Sequence, residues 1–295
     1  MSPSQNSHLS LRAVFHPSDF SPASQSAFAH ALRIALAAKC KLDIMHVDAS
    51  HDAEWSDFPG VRELLEQWKI LPEGSPRDAV LALGMNVHKA IVEDSNVVRG
   101  TLNYLASHPA DLIVLAVHHH EGRMRWLHRN VGEPIAKESS QTTLYLPHGT
   151  KGFVGSEDGA LSLSKILIPV AKKPSPQPSL DAVAALVRGL GVEAGEITLL
   201  HVGDERSVPT WSLPEVPGWK WRVQMESGNP IDTIVETTAA LSADLVVMTT
   251  DGPDGFLDGL RGSHTERVLR QTQCPLLVIP LGAGLLSRDS DDSRA

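Results

Sequence analysis

The sequence predicts an α/β protein made of two tandem doubly wound domains, each built on a five-stranded parallel sheet. Three observations predict it. First, 295 residues amount to about two domains of roughly 150 residues. Second, the chain repeats itself: residues 94–147 lie over 227–280 without a gap, and the match is best where ADLIVLAV (110–117) faces ADLVVMTT (243–250). Further along, Gly122, Leu127, Glu133, Leu144 and Pro147 fall on Gly255, Leu260, Glu266, Leu277 and Pro280. Third, short β-branched runs alternate with amphipathic helical stretches, the pattern of right-handed βαβ units and a parallel sheet.

In the first copy the predicted strands are AVF (13–15), LDIMHV (42–47), KAIVE (89–93), DLIVLA (111–116) and TTLYL (142–146). Helices are predicted at ASQSAFAHALRIALAA (23–38), near 98–107 and near 130–139. The second copy opens with KILIPV (165–170) and ITLLHV (197–202), which face RAVFHP (12–17) and LDIMHV (42–47). The spacing between copies shrinks after the HV pairs, so the first copy carries an extra segment between Val47 and Asp94. That segment includes VRELLEQWKI (61–70), with Val61, Leu64, Leu65 and Trp68 at helical spacing, whereas the second copy has the Pro- and Trp-rich SVPTWSLPEVPGWKW (207–221) and has lost a helix. The expected organisation is an unstructured N-terminus (1–10), domain one (11–147), the Gly/Ser-rich linker HGTKGFVGSEDGALSLS (148–164), domain two (165–282) and a disordered tail (283–295).

Composition narrows the function. Hydrophobic residues at 42% and charged residues at 21% suit a globular protein, and no apolar run nears the roughly 18 residues that span a bilayer. The opening MSPSQNSHLS lacks the basic start and apolar stretch of a signal peptide. A cytoplasmic location is therefore expected, in which Cys40 and Cys274 need no disulfide. A formal charge of −9 opposes a phosphate polymer, so nucleic acid is not the expected partner, nor is a membrane. One small phosphate ligand stays compatible, because backbone N–H groups and a helix N-terminus hold an anion whatever the net charge.

Three stretches carry a resemblance to a known family: HPSDFSPASQSAFAHAL (16–32), the HV after the second strand of each copy, and MTTDGPDGFLDGLRGSHTERVLRQTQCPLLVIP (248–280). From Leu11 to Leu281 the chain resembles a tandem universal stress protein, which implies the adenine-nucleotide α-hydrolase-like fold in each copy. Members of the family that bind ATP have G-x2-G-x9-G-[S/T] between the fourth strand and the last helix. Small residues there let backbone N–H groups approach a triphosphate, and the Gly-Ser opens a helix whose N-terminus favours the anion. By the same resemblance, an Asp after the first strand accepts hydrogen bonds from ribose, and the Val of HV faces the adenine edge. All of these groups lie at carboxyl ends of parallel strands, where open α/β sheets bind ligands.

Neither copy has the complete set. The first keeps Pro17, Asp19 and Val47, but its phosphate positions read Ala116, His119, Arg129 and Asn130. The second reads Thr249, Gly252, Gly262 and Ser263 there and keeps Pro169 and Val202, but Ala171 replaces the ribose Asp and Asp251 adds negative charge. The expected function is a non-catalytic stress-response or regulatory protein with weak or vestigial nucleotide binding, favouring the second copy. The expected ligand is ATP or another adenine nucleotide, with Mg2+, an empty pocket being equally compatible. A nucleotide-hydrolysing enzyme and a ligand-free interaction scaffold are the alternatives. GxxxxGK[ST] is absent, which excludes a P-loop ATPase. The resemblance also implies that TTLYL and PLLVI pair edge to edge, making an intramolecular pseudo-dimer and leaving room for a homodimer.

Other clusters read more plainly. His118, His119 and His120 with His128 suggest metal, but consecutive residues of an extended chain face opposite ways, so they read as a polar loop and no metal site is assigned. Arg123, Arg125, Arg129 and His128 form a basic cluster, either a solvated loop or an anion grip. His46 and His201 read as structural histidines, Ser263 as a helix N-cap completed by Glu266, and Cys274 as a buried apolar filler.

Overall fold

The computed structural model describes residues 9–49, 51–117, 119–120, 123–124, 135, 138–150, 152–251 and 264–283. The first half runs β1 (Ala13–Pro17), α1 (Pro22–Ala38), β2 (Lys41–Asp48), α2 (Val61–Gln67), α3 (Ala79–Ala82), β3 (Asn86–Glu93), α4 (Val97–Ser107) and β4 (Leu112–Val117). A small antiparallel hairpin, β5 (His119–His120) with β6 (Arg123–Met124), then precedes β7 (Thr142–Pro147). The second half runs β8 (Lys165–Pro169), α5 (Gln177–Leu190), β9 (Gly195–Val202), β10 (Trp219–Glu226), α6 (Pro230–Leu241), β11 (Leu245–Thr250), α7 (His264–Gln271) and β12 (Leu276–Pro280).

Local chemistry sets the helix ends. Ser21 caps α1 by accepting from the Ser24 amide, and Pro22 follows in the first turn, where a missing N–H costs nothing. Asn96 and Asn229 cap α4 and α6 in the same way. The αL residues Lys39, Gly191 and Ser242 close α1, α5 and α6.

The ten long strands form one sheet in the order β10-β9-β8-β11-β12-β7-β4-β1-β2-β3. Within each half every pairing is parallel; at the centre β12 meets β7 antiparallel, with Leu277 opposite Leu144. The two last strands therefore meet as expected, and the order reads the same from either end. Helices α1, α2 and α5 cover one face through Phe28, Leu65 and Val183. The other face is covered by α4, α6 and α7 through Tyr104, Ile234 and Val268.

The structure corrects the expectations at the segment ends. Leu9 is buried, and a Cβ on Gly189 of α5 would lie 2.4 Å from its Cγ, so Leu9 packs against α5. The segment expected as a linker packs too: Phe153, Val154 and Leu163 are buried, and Val154 bridges Leu161. Trp68 Nε1 donates to Ser156 O at 3.2 Å. The helix expected near 130–139 falls largely outside the described residues, as do the tail from 284 on, His118, Arg125, His128, Arg129 and Asn130. The lost helix shows directly: between β9 and β10 only a 3-10 turn, Glu205–Ser207, replaces α2 and α3.

Candidate functional site

In the second half the chain leaves β8 toward β9 on one side, and β11 returns on the other. At such a reversal the carboxyl ends of parallel strands leave a crevice. Here it is a cleft of about 310 Å³. Pro169 and Val202 line it from the ends of β8 and β9, Met248 and Thr249 from β11, Ile234 from α6, and Thr265 from the first turn of α7.

Hydrogen bonds hold the wall in place. Val170 N donates to Leu200 O at 2.8 Å, tying the loop after β8 to β9. Buried His201 donates from Nδ1 to Val170 O at 3.1 Å, and its Nε2 lies 2.8 Å from Ser207 Oγ. The Thr249 hydroxyl is 2.7 Å from Ser179 Oγ on α5. Lys172 reaches away to Arg206 O at 2.8 Å, whereas Lys173 lines the cleft beside Ala171. The floor is thus apolar, and the rim carries Lys173, His264 and Asp251. Such a cleft suits a flat, largely apolar ring system with a polar extension.

The first half repeats this scaffold. Ser18 N donates to Met45 O at 2.8 Å, and His46 Nδ1 donates to Ser18 O at 2.8 Å. At the opposite end, Asp111 accepts from the amides of Arg12 and Ala13, as Asp244 does from Ser164 and Lys165. The surroundings of the first-half site differ. Asp19 Oδ1 accepts from Ser21 N at 3.0 Å and Ser21 Oγ at 2.6 Å, so this carboxylate supports the turn into α1. Phe20 has φ 59° and stacks on His46 at 4.2 Å, with Phe58 edge-on at 5.1 Å. Val47 is buried against Gly100 of α4, where a Cβ would come 3.3 Å from both Val47 methyls. Asp94 is gripped by Arg99, Nε to Oδ2 at 3.0 Å.

Among the predicted site residues, Pro17, Asp19 and Val47 gather at the ends of β1 and β2, and Pro169 and Val202 share the cleft. Gly252, Gly262 and Ser263 lie outside the described residues. Asp251 and His264, the described residues on either side of them in sequence, both line the cleft. Lys173, Ser179 and Thr265 were missed by sequence reasoning. A lysine in a loop and hydroxyls at helical positions carry no spacing signal; only their position relative to β11 reveals them. Cys274, as expected, is buried with Sγ 3.0 Å from Ala243 O, and burial pushes its thiol up to about 12.

Comparison with known proteins agrees with this geometry. The chain matches the profile of the universal stress protein family over residues 12–147 and 213–280. A universal stress protein of Methanocaldococcus jannaschii is 38% identical over 81 residues, 28% of this chain and about half, 48%, of that relative's length. Among solved structures, a universal stress protein from Archaeoglobus fulgidus superposes with a TM-score of 0.58 at 18% identity, over 94% of this chain and 99% of that one. A functionally unknown protein from Pseudomonas aeruginosa gives 0.55 at 13% identity, over 94% and 95%. Both share the fold.

Proposed function

The chain belongs to the universal stress protein family, and on that premise we propose that it is a non-catalytic stress-response protein whose second half binds an adenine nucleotide weakly. The observation that carries this reading is the cleft lined by Pro169 and Val202 from the first strands and by Asp251 and His264 from the far side. The base and ribose would rest on the apolar floor near Val202. The phosphates would lie toward the first turn of α7, where backbone N–H groups and the helix dipole favour an anion; Gly252, Gly262 and Ser263 are the residues the sequence offers them.

No catalytic role is assigned. The carboxylate nearest the phosphate end, Asp251, sits exposed on the rim, where it repels a triphosphate unless Mg2+ bridges the two. Calorimetric titration of the whole chain with ATP and Mg2+ tests the reading. Weak saturable heat without phosphate release supports it; steady phosphate release would make the protein an ATPase, and no heat at all a scaffold. In the same assay Gly262→Arg, which installs the residue that the first copy carries at its matching Arg129, removes the binding by filling the phosphate volume.

A further inference from the structure

Strand β10 forms one end of the ten-stranded sheet, and no described strand lies on its outer side. In the first half the matching region is covered by α2 and α3, whose Leu65 and Val80 pack with Val87 and Ile91 of β3. The second half lacks both helices. Trp219 and Trp221 are drawn onto the core by the preceding segment, Trp221 Nε1 donating to Pro214 O at 3.2 Å. Further along the same face Val223 and Met225 stay 50% and 39% exposed. A long edge with exposed apolar side chains is a template for another strand.

The backbone fixes which groups that edge offers. Gly218 O and Glu226 O accept from Gly195 N and Gly203 N of the β9 chain. Alternate residues of a strand direct their polar groups to opposite sides, so Trp219, Trp221, Val223 and Met225 present theirs outward. An antiparallel copy of β10 can then pair only with outward residues opposite outward residues. Centred on Arg222, such a pairing sets two guanidinium groups against each other; centred on Gln224, it leaves Trp219, Lys220 and Trp221 beyond the partner strand. Centred on Val223, it places Lys220 opposite Glu226 twice, Arg222 opposite Gln224 twice, Trp221 opposite Met225 twice, and Val223 opposite itself. Glu226 is exposed and meets Gln224 of its own strand, 3.0 Å away, while Arg222 reaches Glu196 at 4.0 Å.

We propose that two copies of this chain associate through β10, antiparallel about a twofold axis at Val223, extending the sheet across the dimer. The interface is isologous and closes on itself, with main-chain bonds supplying affinity and the Lys220–Glu226 pairs setting register.

Sedimentation equilibrium on the purified full chain tests it. The expected mass is that of a dimer. Val223→Pro removes an N–H that β9 does not use, a change that edge strands tolerate, and should give a folded monomer by circular dichroism. Lys220→Glu sets like charges face to face and should weaken the dimer at least tenfold, a loss of about 1.4 kcal/mol. Adding Glu226→Lys should restore it, a rescue that stands even if the proline variant fails to fold. A wild type that is monomeric at the highest concentration reached, assemblies larger than a dimer, or a dimer indifferent to all three variants would overturn the proposal.

Discussion

His30 accepts a hydrogen bond at Nε2 from the backbone N–H of Phe153, 3.0 Å away, while the Phe153 ring stands edge-on to the imidazole at 4.6 Å. The same nitrogen accepts from Val154 N at 3.1 Å, and Nδ1 donates to Ser26 O at 2.7 Å. Those bonds require the neutral, Nδ1-protonated ring. One side chain of α1 thereby fastens the segment that joins the two halves.

His30→Ala should cost stability through the orphaned amides. Phe153 and Val154 are both buried, and a buried donor without a partner costs roughly 1–3 kcal/mol. Urea denaturation should show a loss of about 3 kcal/mol, and limited proteolysis should cut between 148 and 164 before elsewhere. An unchanged midpoint with unchanged cutting would mean that the clasp contributes nothing.

Acid should open the protein through the same ring. Burial pushes His30 down to about 4, and buried His16, held by Val114 O at 3.0 Å, also falls to about 4, against an ordinary 6.5. Between pH 6.5 and 4 the unfolded chain binds protons that the folded chain refuses, so stability is full above 6.5 and falls as pH drops through that window. Each histidine should account for ~3 kcal/mol of the loss. Thermal melts from pH 7.5 to 4.5 check this; His16→Asn and His30→Asn should each flatten the slope.

The parallel halves were legible because a fully buried strand such as LIVLAV must be almost wholly apolar, and because the repeat showed each element twice. The structural roles of His46 and His201 followed from their matching positions. The packed joining segment was not legible: Gly152 and Gly159 suggest a flexible tether, yet both take positive φ where a Cβ would strike His30 at 2.3 Å or Trp68 at 2.6 Å. Those glycines allow close approach, and nothing in their spacing names a partner so distant along the chain. For the candidate site, the HV repeat put Val202 at a strand end, where it lines the cleft. The Ser179–Thr249 contact depends on how α5 lies across β11, which only the three-dimensional packing determines.

Nucleotide affinity at the second-half cleft should be weak, and two substitutions should raise it. Ala171 lines it where the first copy carries Asp19, and Asp251 stands at its rim. A charge-assisted hydrogen bond contributes roughly 1.5–3 kcal/mol, so on the proposed function the absence of a ribose carboxylate should weaken binding by about tenfold or more. The repulsive Asp251 adds to that, and the protein should purify without nucleotide. Ala171→Asp restores the acceptor next to the apolar floor, and Asp251→His replaces an anion with a group that can donate to phosphate. Together they should tighten ATP binding by at least about tenfold in calorimetry with Mg2+. Because Asp19 is engaged by Ser21 in the first half, the carboxylate introduced by Ala171→Asp gains the ribose only if it stays clear of its own turn. The residue two positions on is Lys173, which offers no hydroxyl but keeps a backbone N–H and an ammonium, so Lys173→Ala in the same background should tighten binding further if Lys173 captures the new carboxylate. Tight binding by the wild type, or no gain in the double variant, would show that other groups make this pocket.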